Sequence, residues 1–242
     1  MLEISNLWVD GWEHTIRGMR NPMNSWDKSD SGFGCRNKIG MGDDSEVPYL
    51  CKNCGMIHCN KRDEDFLIGP NDIELMHKLC KAGSDHRKFM RQIFVSMDIV
   101  APLYWWKEFD TYKVGTVANS CSTMHKIAEK EFTLDDFSCE HLFYDKDDIL
   151  KECYHYENAL NHTVQALNSA RTHYLETKDK KYWWQMIQLL PSSYNQKRTV
   201  TLNYEVLNNM YNSRKNHKLD EWHTFLKVVD ELPMSELIKG EF

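Results

Sequence analysis

The segment "RQIFVSMDIVAPLYWWKEF" (residues 91–109) carries two different hydrophobic patterns in one short stretch. In its first half, apolar residues alternate with other residues, and this period of two together with the β-branched content predicts a strand. Pro102 then predicts the first turn of a short helix through the paired tryptophans, because proline fits a helix start. The alternating residues are Ile93, Val95, Met97 and Ile99.

The aromatic residues of this predicted helix allow two interpretations. They could stack on a planar ring, or they could pack in the core or in a subunit interface, which is the commoner place for aromatic residues on two faces of a helix. The set consists of Tyr104, Trp105, Trp106, Phe109 and Tyr112.

Apolar residues at helical spacing predict further helices on both sides of this stretch. One begins at Asn71 or Asp72, either of which is expected to cap it, and ends at Gly83. The others cover about residues 150–174, the segment "KDKKYWWQMIQLLP" as far as Pro191, and two stretches on either side of Asn216. These elements predict a mixed α/β protein in which helices dominate.

Length, charge and hydropathy limit the class of protein. The 242 residues suffice for one large domain or two small ones, and we expect a single domain over residues 1–242. The net charge of -6 argues against a nucleic-acid polymer or an anionic membrane as partner, but leaves room for a small anionic ligand in a local basic pocket. Without an export signal or an apolar stretch long enough to span a bilayer, we expect a cytoplasmic protein.

Residues 21–70 are irregular and contain half of the eight cysteines, so we interpret them as a long loop or inserted subdomain. In a chain without an export signal, cysteines are expected as thiols or metal ligands. The Cys-x2-Cys-Gly spacing predicts a structural zinc site, with His58 as an alternative ligand, or free cysteines in a loop. The candidate ligands are Cys35, Cys51, Cys54 and Cys59.

Two polar segments flank the central strand and helix. The sequence "GSDHRKFMRQ" concentrates His86, Arg87, Lys88 and Arg91, which could bind a phosphate or form a solvated basic turn. Residues 111–125, "TYKVGTVANSCSTMH", are rich in hydroxyl groups and are called the hydroxyl-rich segment below. This segment is expected to line a cavity or lie as a loop, with Cys121 as a pocket-lining thiol or a nucleophile.

The order of these pieces resembles the flavin-dependent thymidylate synthases over residues 84–232. The shared order is a histidine, a strand, Ala-Pro with an aromatic helix, a polar segment, and then Leu-Pro, Asn and Arg before a helix with tryptophan. The resemblance implies a central mixed or antiparallel sheet flanked by long helices. It also implies a homotetramer whose active sites are assembled from several chains, so that the hydroxyl-rich segment faces a ligand.

The family's signature falls on the hydroxyl-rich segment with several substitutions. Its Arg-His-Arg-x7-Ser-x-Arg outline falls on Thr111, Tyr112, Lys113, Cys121 and Thr123. Its Ser-x-Asn-Glu interior falls on Thr116, Ala118 and Asn119, and the preceding Arg-Gln on Lys107 and Glu108. Further on, Asn203 and Arg214 match, whereas Glu205 replaces an arginine.

The resemblance implies reductive methylation of dUMP, with methylenetetrahydrofolate as methylene donor, FAD as hydride carrier and NADPH as reductant. It implies Arg214 as the catalytic residue. It implies cofactor contacts from His86, Lys113, Thr116, Asn119 and Asn203. It implies substrate contacts from Arg87, Lys107, Glu108, Cys121, Ser122, Thr123, Glu205 and Arg214.

Two functions remain open at this point. One is an active enzyme that methylates or otherwise modifies a pyrimidine deoxynucleotide. The other is a homologue that binds a nucleotide without methylating it, which the loss of arginines at Thr111, Thr123 and Glu205 favours. Retention of His86, Asn203 and Arg214 favours some use of the cleft.

Overall fold

The computed structural model describes residues 2–33, 66–143 and 155–242, and all structural statements below concern these residues. The strands are β1 (Glu3–Asp10), β2 (Gly32–Phe33), β3 (Phe66–Leu67), β4 (Phe94–Pro102), β5 (Val117–Ser120) and β6 (Asn195–Asn203). The helices are α1 (Trp12–Arg20), α2 (Pro70–Lys81), α3 (Leu103–Phe109), α4 (Thr123–Lys126), α5 (Tyr156–Thr177), α6 (Lys180–Leu189), α7 (Tyr204–Arg214), α8 (Asp220–Asp230) and α9 (Ser235–Lys239). The predicted mixed α/β class is confirmed.

The larger sheet has the strand order β1-β4-β6-β5, and β2 pairs with β3 in a separate antiparallel ribbon. The strand and helix predicted around Pro102 are confirmed as β4 and α3, with Pro102 as the N-cap of α3. At the edge of the sheet, β5 runs antiparallel to β6, with Val117 opposite Thr201 and Asn119 opposite Thr199. Neither β1 nor β5 was predicted, and α9 was also missed.

The described chain forms two compact units. Unit 1 contains the described residues of Met1–Leu7, Ser96–Thr201 and Arg214–Val228, and unit 2 contains those of Trp8–Val95, Leu202–Ser213 and Val229–Phe242. The expectation of a single domain over residues 1–242 stays a prediction.

The core of unit 1 contains the tryptophans of the central stretch. The rings of Trp105 and Trp222 lie 4.9 Å apart, between α3 and α8. Trp105, Trp106, Phe109, Trp222 and Phe225 are all at most 1% exposed. Of the two interpretations of the predicted aromatic set, burial in the core holds for Trp105, Trp106 and Phe109, because rings so enclosed have no face left for a ligand. A second apolar cluster joins α5 and α6 through Leu160, Leu167 and Met186.

In unit 2, the start of α2 differs from the prediction. The N-cap position is Gly69, and Asp72 lies inside the helix, so the expectation that Asn71 or Asp72 caps it is wrong. The exposed backbone N–H groups are satisfied by a different segment, since Asp30 accepts hydrogen bonds from the backbone N of Asn71 (2.9 Å) and of Asp72 (3.2 Å). Residues near the start of α2 show no sign of a cap that is supplied from 41 residues away.

Gly11, between β1 and α1, is a position where only glycine fits. Its φ is 97°, and an added Cβ would lie 2.1 Å from the backbone oxygen of Gln92. Gly83 has a similar φ of 102° but open space around its missing Cβ. We therefore expect Gly11→Ala to lower the free energy of unfolding by about 2 kcal/mol more than Gly83→Ala does, as measured by urea denaturation. Equal losses for the two variants would contradict the contact at Gly11.

The predicted zinc ligands Cys35, Cys51, Cys54 and Cys59 lie outside the described residues, so this site stays a prediction. Among the described residues, no group of three or more His, Cys, Asp or Glu side chains could hold a metal ion. Cys80, Cys121 and Cys139 are free thiols, and burial raises the pKa of Cys80 to about 11. In the parts of the chain that are described, no helix is both long and apolar enough to cross a membrane.

Candidate functional site

Arg214, the last residue of α7, is held on three sides within unit 1. Its Nη1 lies 2.7 Å from Oε2 of Glu108, and its Nε donates a hydrogen bond of 2.9 Å to Oη of Tyr112. The guanidinium carbon lies 5.1 Å from the ring centroid of Trp222 and 5.5 Å from that of Tyr112. An arginine at the end of a helix also complements the negative end of the helix dipole.

These contacts give Arg214 a fixed orientation. The side chain is 15% exposed, and an aromatic ring beside a guanidinium restricts its motion while adding a cation–π attraction. Glu108 compensates part of the positive charge, but a guanidinium has several N–H donors in a planar fork, so donors remain for a second acceptor. The arrangement can orient a polar group and stabilise negative charge on it.

The hydroxyl-rich segment forms the edge strand β5 and the turns on both sides of it. All four residues of β5 are exposed, and Val117 is 64% exposed. The expectation of a loop is wrong for Val117–Ser120, because ladder hydrogen bonds to β6 make this stretch a strand. The Oγ1 atom of Thr116 is buried and, within the described residues, has no hydrogen-bond partner.

A polar array on β4 and β6 lies beside this edge. Asp98 of β4 accepts hydrogen bonds from Oγ1 of Thr199 (2.5 Å) and Nδ2 of Asn6 (2.9 Å), and Nζ of Lys197 lies 3.0 Å away. The hydrogen bond from Thr199, with those from Asn6 and Lys197, lowers the pKa of Asp98 to about 2. Since Asn119 is opposite Thr199, its position on β5 is next to this array.

A cavity of about 300 Å³ opens where the hydroxyl-rich segment leaves β5. Cys121, Ser122 and Thr123 line it, and three lysines contribute to its wall: Lys126, Lys130 and Lys197. We call it the lysine-lined cavity. Further lining residues are Val100, Ile127, Asp135, Asp136, Tyr194, Asn195 and Gln196.

The backbone at Cys121 is fixed from both sides by β6. Its N–H donates to the carbonyl oxygen of Lys197 at 2.9 Å, and its own carbonyl oxygen accepts from Nε2 of Gln196 at 2.9 Å. Gln196 is in turn held by Arg198, whose guanidinium lies 4.2 Å from the ring centroid of Trp106 and pairs with Asp110. This chain of contacts holds the cavity wall in place.

In unit 2, two of the predicted site residues are paired with each other. Nε of Arg87 lies 3.1 Å from Oε2 of Glu205, and both side chains are largely buried. Asn203 accepts a hydrogen bond from the backbone N of Val206 at 3.0 Å, and His86 is exposed in a turn. Arg87 is therefore compensated by an acid in this structure, and its role as a phosphate contact stays a prediction, as do the roles of Asn203 and His86.

The remaining predicted residues divide according to what they contact. Arg214 and Glu108 are in direct contact, and Cys121, Ser122 and Thr123 share one cavity. Lys107 and Lys113 are exposed. Arg198, Gln196 and the three lysines of the cavity were not predicted from the sequence. Lys126 follows Thr123 by three residues on α4, so helical spacing from the signature was the available signal for it, whereas Lys130 lies beyond the end of that helix.

Comparison with known proteins gives structural likenesses and no likeness in sequence. No model of a protein family matches the chain, and no curated protein matches it. Thymidylate synthase X from Helicobacter pylori, solved with FAD and dUMP, shares 15% identity at a TM-score of 0.62, over 98% of this chain and 96% of that one. Another structure of that organism's flavin-dependent thymidylate synthase, complexed with FAD and dUMP, shares 16% identity at a TM-score of 0.61, over 97% and 96% of the two chains.

A UMP/dUMP methylase from Streptomyces cacaoi, bound with 5-Br UMP, shares 12% identity over 71% of this chain and 83% of that one. Its TM-score of 0.49 is too low to establish a shared fold. The two Helicobacter pylori structures show that the chain has the flavin-dependent thymidylate synthase fold, as the resemblance in sequence predicted. The fold alone does not determine the activity.

Proposed function

We propose that this protein binds a pyrimidine deoxynucleotide such as dUMP and modifies it in a flavin-dependent reaction of the thymidylate synthase type. The observation that carries the proposal is a fold likeness over 98% of the chain to an enzyme solved with FAD and dUMP. The fixed guanidinium of Arg214 and the exposed, hydroxyl-rich edge of the sheet support it, because they offer the donors that a small anionic ligand needs.

The residues of the hydroxyl-rich segment fit the binding of FAD. The buried Oγ1 of Thr116, which has no hydrogen-bond partner in the described part of the chain, offers a donor, and the exposed side chains of Asn119 and Lys113 add an amide and a positive charge. These three residues would hold the cofactor, with His86 and Asn203 as the further contacts that the resemblance implies. When bound, reduced FAD would supply hydride to the methylene group taken from methylenetetrahydrofolate, with NADPH as the source of electrons.

In this proposal Arg214 orients the pyrimidine ring and stabilises negative charge that develops on it. Glu108 and Tyr112 keep the guanidinium in one orientation, so little reorganisation is needed when the charge develops. The hydroxyl groups of Ser122 and Thr123 contact the polar part of the nucleotide. We also propose that the protein assembles as a homotetramer with sites between subunits, which the exposed strand β5 supports.

The second candidate is a nucleotide-binding homologue without methylation activity. The ion pair between Arg87 and Glu205 favours it, because a carboxylate stands where the family has an arginine and also compensates a neighbouring cation. Thr111 and Thr123 also lack the positive charge of the arginines that the family has at these positions. The two candidates differ in turnover: both bind the nucleotide, and only the first converts dUMP to a methylated product in the presence of methylenetetrahydrofolate, FAD and NADPH.

Purified protein is expected to be yellow and to bind dUMP. We predict flavin absorbance that stays with the protein through gel filtration, and a rise in the melting temperature when dUMP is added, since a ligand that binds only the folded state stabilises it. Deoxyadenosine monophosphate serves as the matched control, because it has the same phosphate with a different base. Protein that stays colourless after incubation with FAD and responds equally to both nucleotides would refute the proposal.

A further inference from the structure

A cavity of about 420 Å³ lies within unit 2, and none of its lining residues was predicted from the sequence as a site residue. One side is a face of α1 that carries Ile16 and Arg20, and the other side is formed by residues of the segment 26–33 and by Phe66 of β3. We call it the α1 cavity. Its volume lies within the range of pockets that bind small molecules.

Arg20 brings unused hydrogen-bond donors to the α1 cavity. Its side chain is 5% exposed, its Nε donates to Oδ1 of Asp72 at 2.6 Å, and its Nη1 donates to the carbonyl oxygen of Ser25 at 3.1 Å. Among the residues that the structure describes, none accepts a hydrogen bond from its Nη2. A buried charged donor without a partner is costly, so an acceptor on a ligand in this cavity would be stabilising.

Ser29 offers the complementary group, an acceptor. Its hydroxyl donates to Oδ2 of Asp72 at 2.7 Å, so its proton is engaged and an oxygen lone pair remains for a ligand. Ser31 also donates to Asp72, at 2.6 Å, but it accepts from the backbone N of Gly69 at 2.9 Å and is more fully used. Since Arg20 and Ser29 bind the two oxygens of one carboxylate, the cavity presents a donor and an acceptor close together.

Two aromatic rings that line the same cavity are incompletely covered. Trp26 is 50% exposed, and its Nε1 donates to Oδ1 of Asn21 at 2.8 Å, which limits rotation of the indole. Phe33 is 61% exposed, and its ring meets that of Phe66 edge to face at a centroid distance of 5.2 Å. Exposed rings at a cavity offer a stacking surface to a planar ligand.

The formal charges around the α1 cavity cancel. Asp72 compensates Arg20, and the exposed lining residues Glu13 and Arg17 have opposite charges. A neutral ligand therefore suits the cavity better than a strongly anionic one. A carbonyl oxygen next to an N–H matches the donor of Arg20 and the acceptor of Ser29, and these two groups occur together in the lactam edge of a heteroaromatic ring.

We propose that the α1 cavity binds a neutral, fused heteroaromatic ring with a lactam edge. The lactam oxygen accepts from Nη2 of Arg20, the lactam N–H donates to Oγ of Ser29, and the ring stacks on Trp26. Oxopurines and pterins both carry this edge. The site goes beyond the proposed function, because it uses none of the residues proposed to bind the nucleotide or FAD.

The test measures the binding of inosine, nebularine and biopterin to the full chain by titration calorimetry. Nebularine has the ring system and ribose of inosine but lacks the lactam oxygen and N–H, so we expect it to bind at least about 10-fold more weakly than inosine. Binding of inosine identifies an oxopurine site, and binding of biopterin alone identifies a pterin site. Binding of neither lactam, or equal binding of inosine and nebularine, overturns the proposal.

Variants locate the binding in the α1 cavity. Trp26→Leu is expected to weaken binding of the lactam about 10-fold, because a stacking surface is lost. Trp184→Leu is the matched control, since Trp184 is 43% exposed on α6 and does not line the cavity, and it should bind as wild type does. Arg20→Lys keeps a charge beside Asp72 but lacks Nη2, and it should weaken binding to a similar degree.

The comparison of the two tryptophan variants decides the matter even if Arg20→Lys does not fold. Equal affinity of Trp26→Leu, Trp184→Leu and wild type for the lactam overturns the proposal. Titration of dUMP into the same three proteins tests the proposed function separately, and we expect dUMP to bind all three equally.

Discussion

Replacing Arg214 with alanine is expected to lower kcat/KM for dUMP by at least about 100-fold, or to abolish dUMP binding if the protein binds without turnover. The physical reason is that the guanidinium is already oriented by Glu108 and Tyr112 before a ligand arrives. Arg214→Ala therefore removes a hydrogen-bond donor that the folded protein already holds in its binding orientation. Steady-state kinetics and titration calorimetry measure the two quantities.

A control separates this effect from a loss of stability. Arg198 resembles Arg214 in burial and surroundings: each is 15% exposed, each pairs with a half-exposed carboxylate, and each lies against an indole ring. Arg198→Ala is therefore expected to cost a similar amount of stability, with a smaller loss in nucleotide affinity because Arg198 reaches the cavity wall only through Gln196. Arg214→Lys, which keeps the charge but not the planar fork, should fall between wild type and Arg214→Ala. Equal losses of affinity for Arg198→Ala and Arg214→Ala would mean that Arg214 acts only through the fold.

Asp72→Ala is expected to destabilise the protein by about 3–5 kcal/mol, the largest stability effect that we predict. The side chain of Asp72 is fully buried, and its Oδ1 lies 2.6 Å from Nε of Arg20, whose side chain is 5% exposed. Ser29 and Ser31 donate hydrogen bonds to the other carboxylate oxygen at 2.7 and 2.6 Å. Truncation leaves the charge of Arg20 buried and uncompensated, which urea denaturation would detect.

The same carboxylate makes stability depend on pH. Burial by itself would raise the pKa of Asp72, but hydrogen bonds from Ser31, Ser29 and Arg20 outweigh it and lower the pKa from its ordinary value of 3.8. Because the folded-state pKa is the lower one, the contribution of Asp72 is present above 3.8 and is lost as the pH falls through the lowered value. Asp72→Asn should remove this part of the acid dependence.

Glu74 provides the control on the same helix. It pairs with Lys78 at 2.6 Å, but both side chains are about two-thirds exposed. Glu74→Ala is expected to leave the free energy of unfolding almost unchanged, since exposed pairs at this spacing contribute little. A loss for Asp72→Ala no larger than that for Glu74→Ala would contradict the buried network.

The sequence predicted those parts of the fold whose residues are buried in a regular pattern. Ile93, Val95, Met97 and Ile99 are all at most 1% exposed, and their alternation was clear enough to predict β4. Strand β5 was missed because its exposed residues show no alternation, and its pairing with β6 connects segments about 80 residues apart. Strand β1 contains Asn6 with a φ of 52°, which interrupts the extended conformation on which a period of two depends.

The candidate site was predictable only as far as the family signature reaches. The resemblance drew attention to Arg214 and to the hydroxyl-rich segment, and the structure places Arg214 against Glu108 and Tyr112. It did not indicate Lys126, Lys130 and Lys197, because only the fold brings these three lysines to one cavity. The pairing of Arg87 with Glu205 joins residues 118 apart, which spacing along the chain cannot reveal.

A crystal structure of the assembled protein with FAD and dUMP would show whether Arg214 and the hydroxyl-rich segment bind one nucleotide. We predict a nucleotide whose pyrimidine ring contacts Arg214 of one subunit and whose polar part contacts Ser122 and Thr123 of the same or a neighbouring subunit. A nucleotide bound away from both groups, or no bound nucleotide in crystals grown at saturating dUMP, would contradict the account.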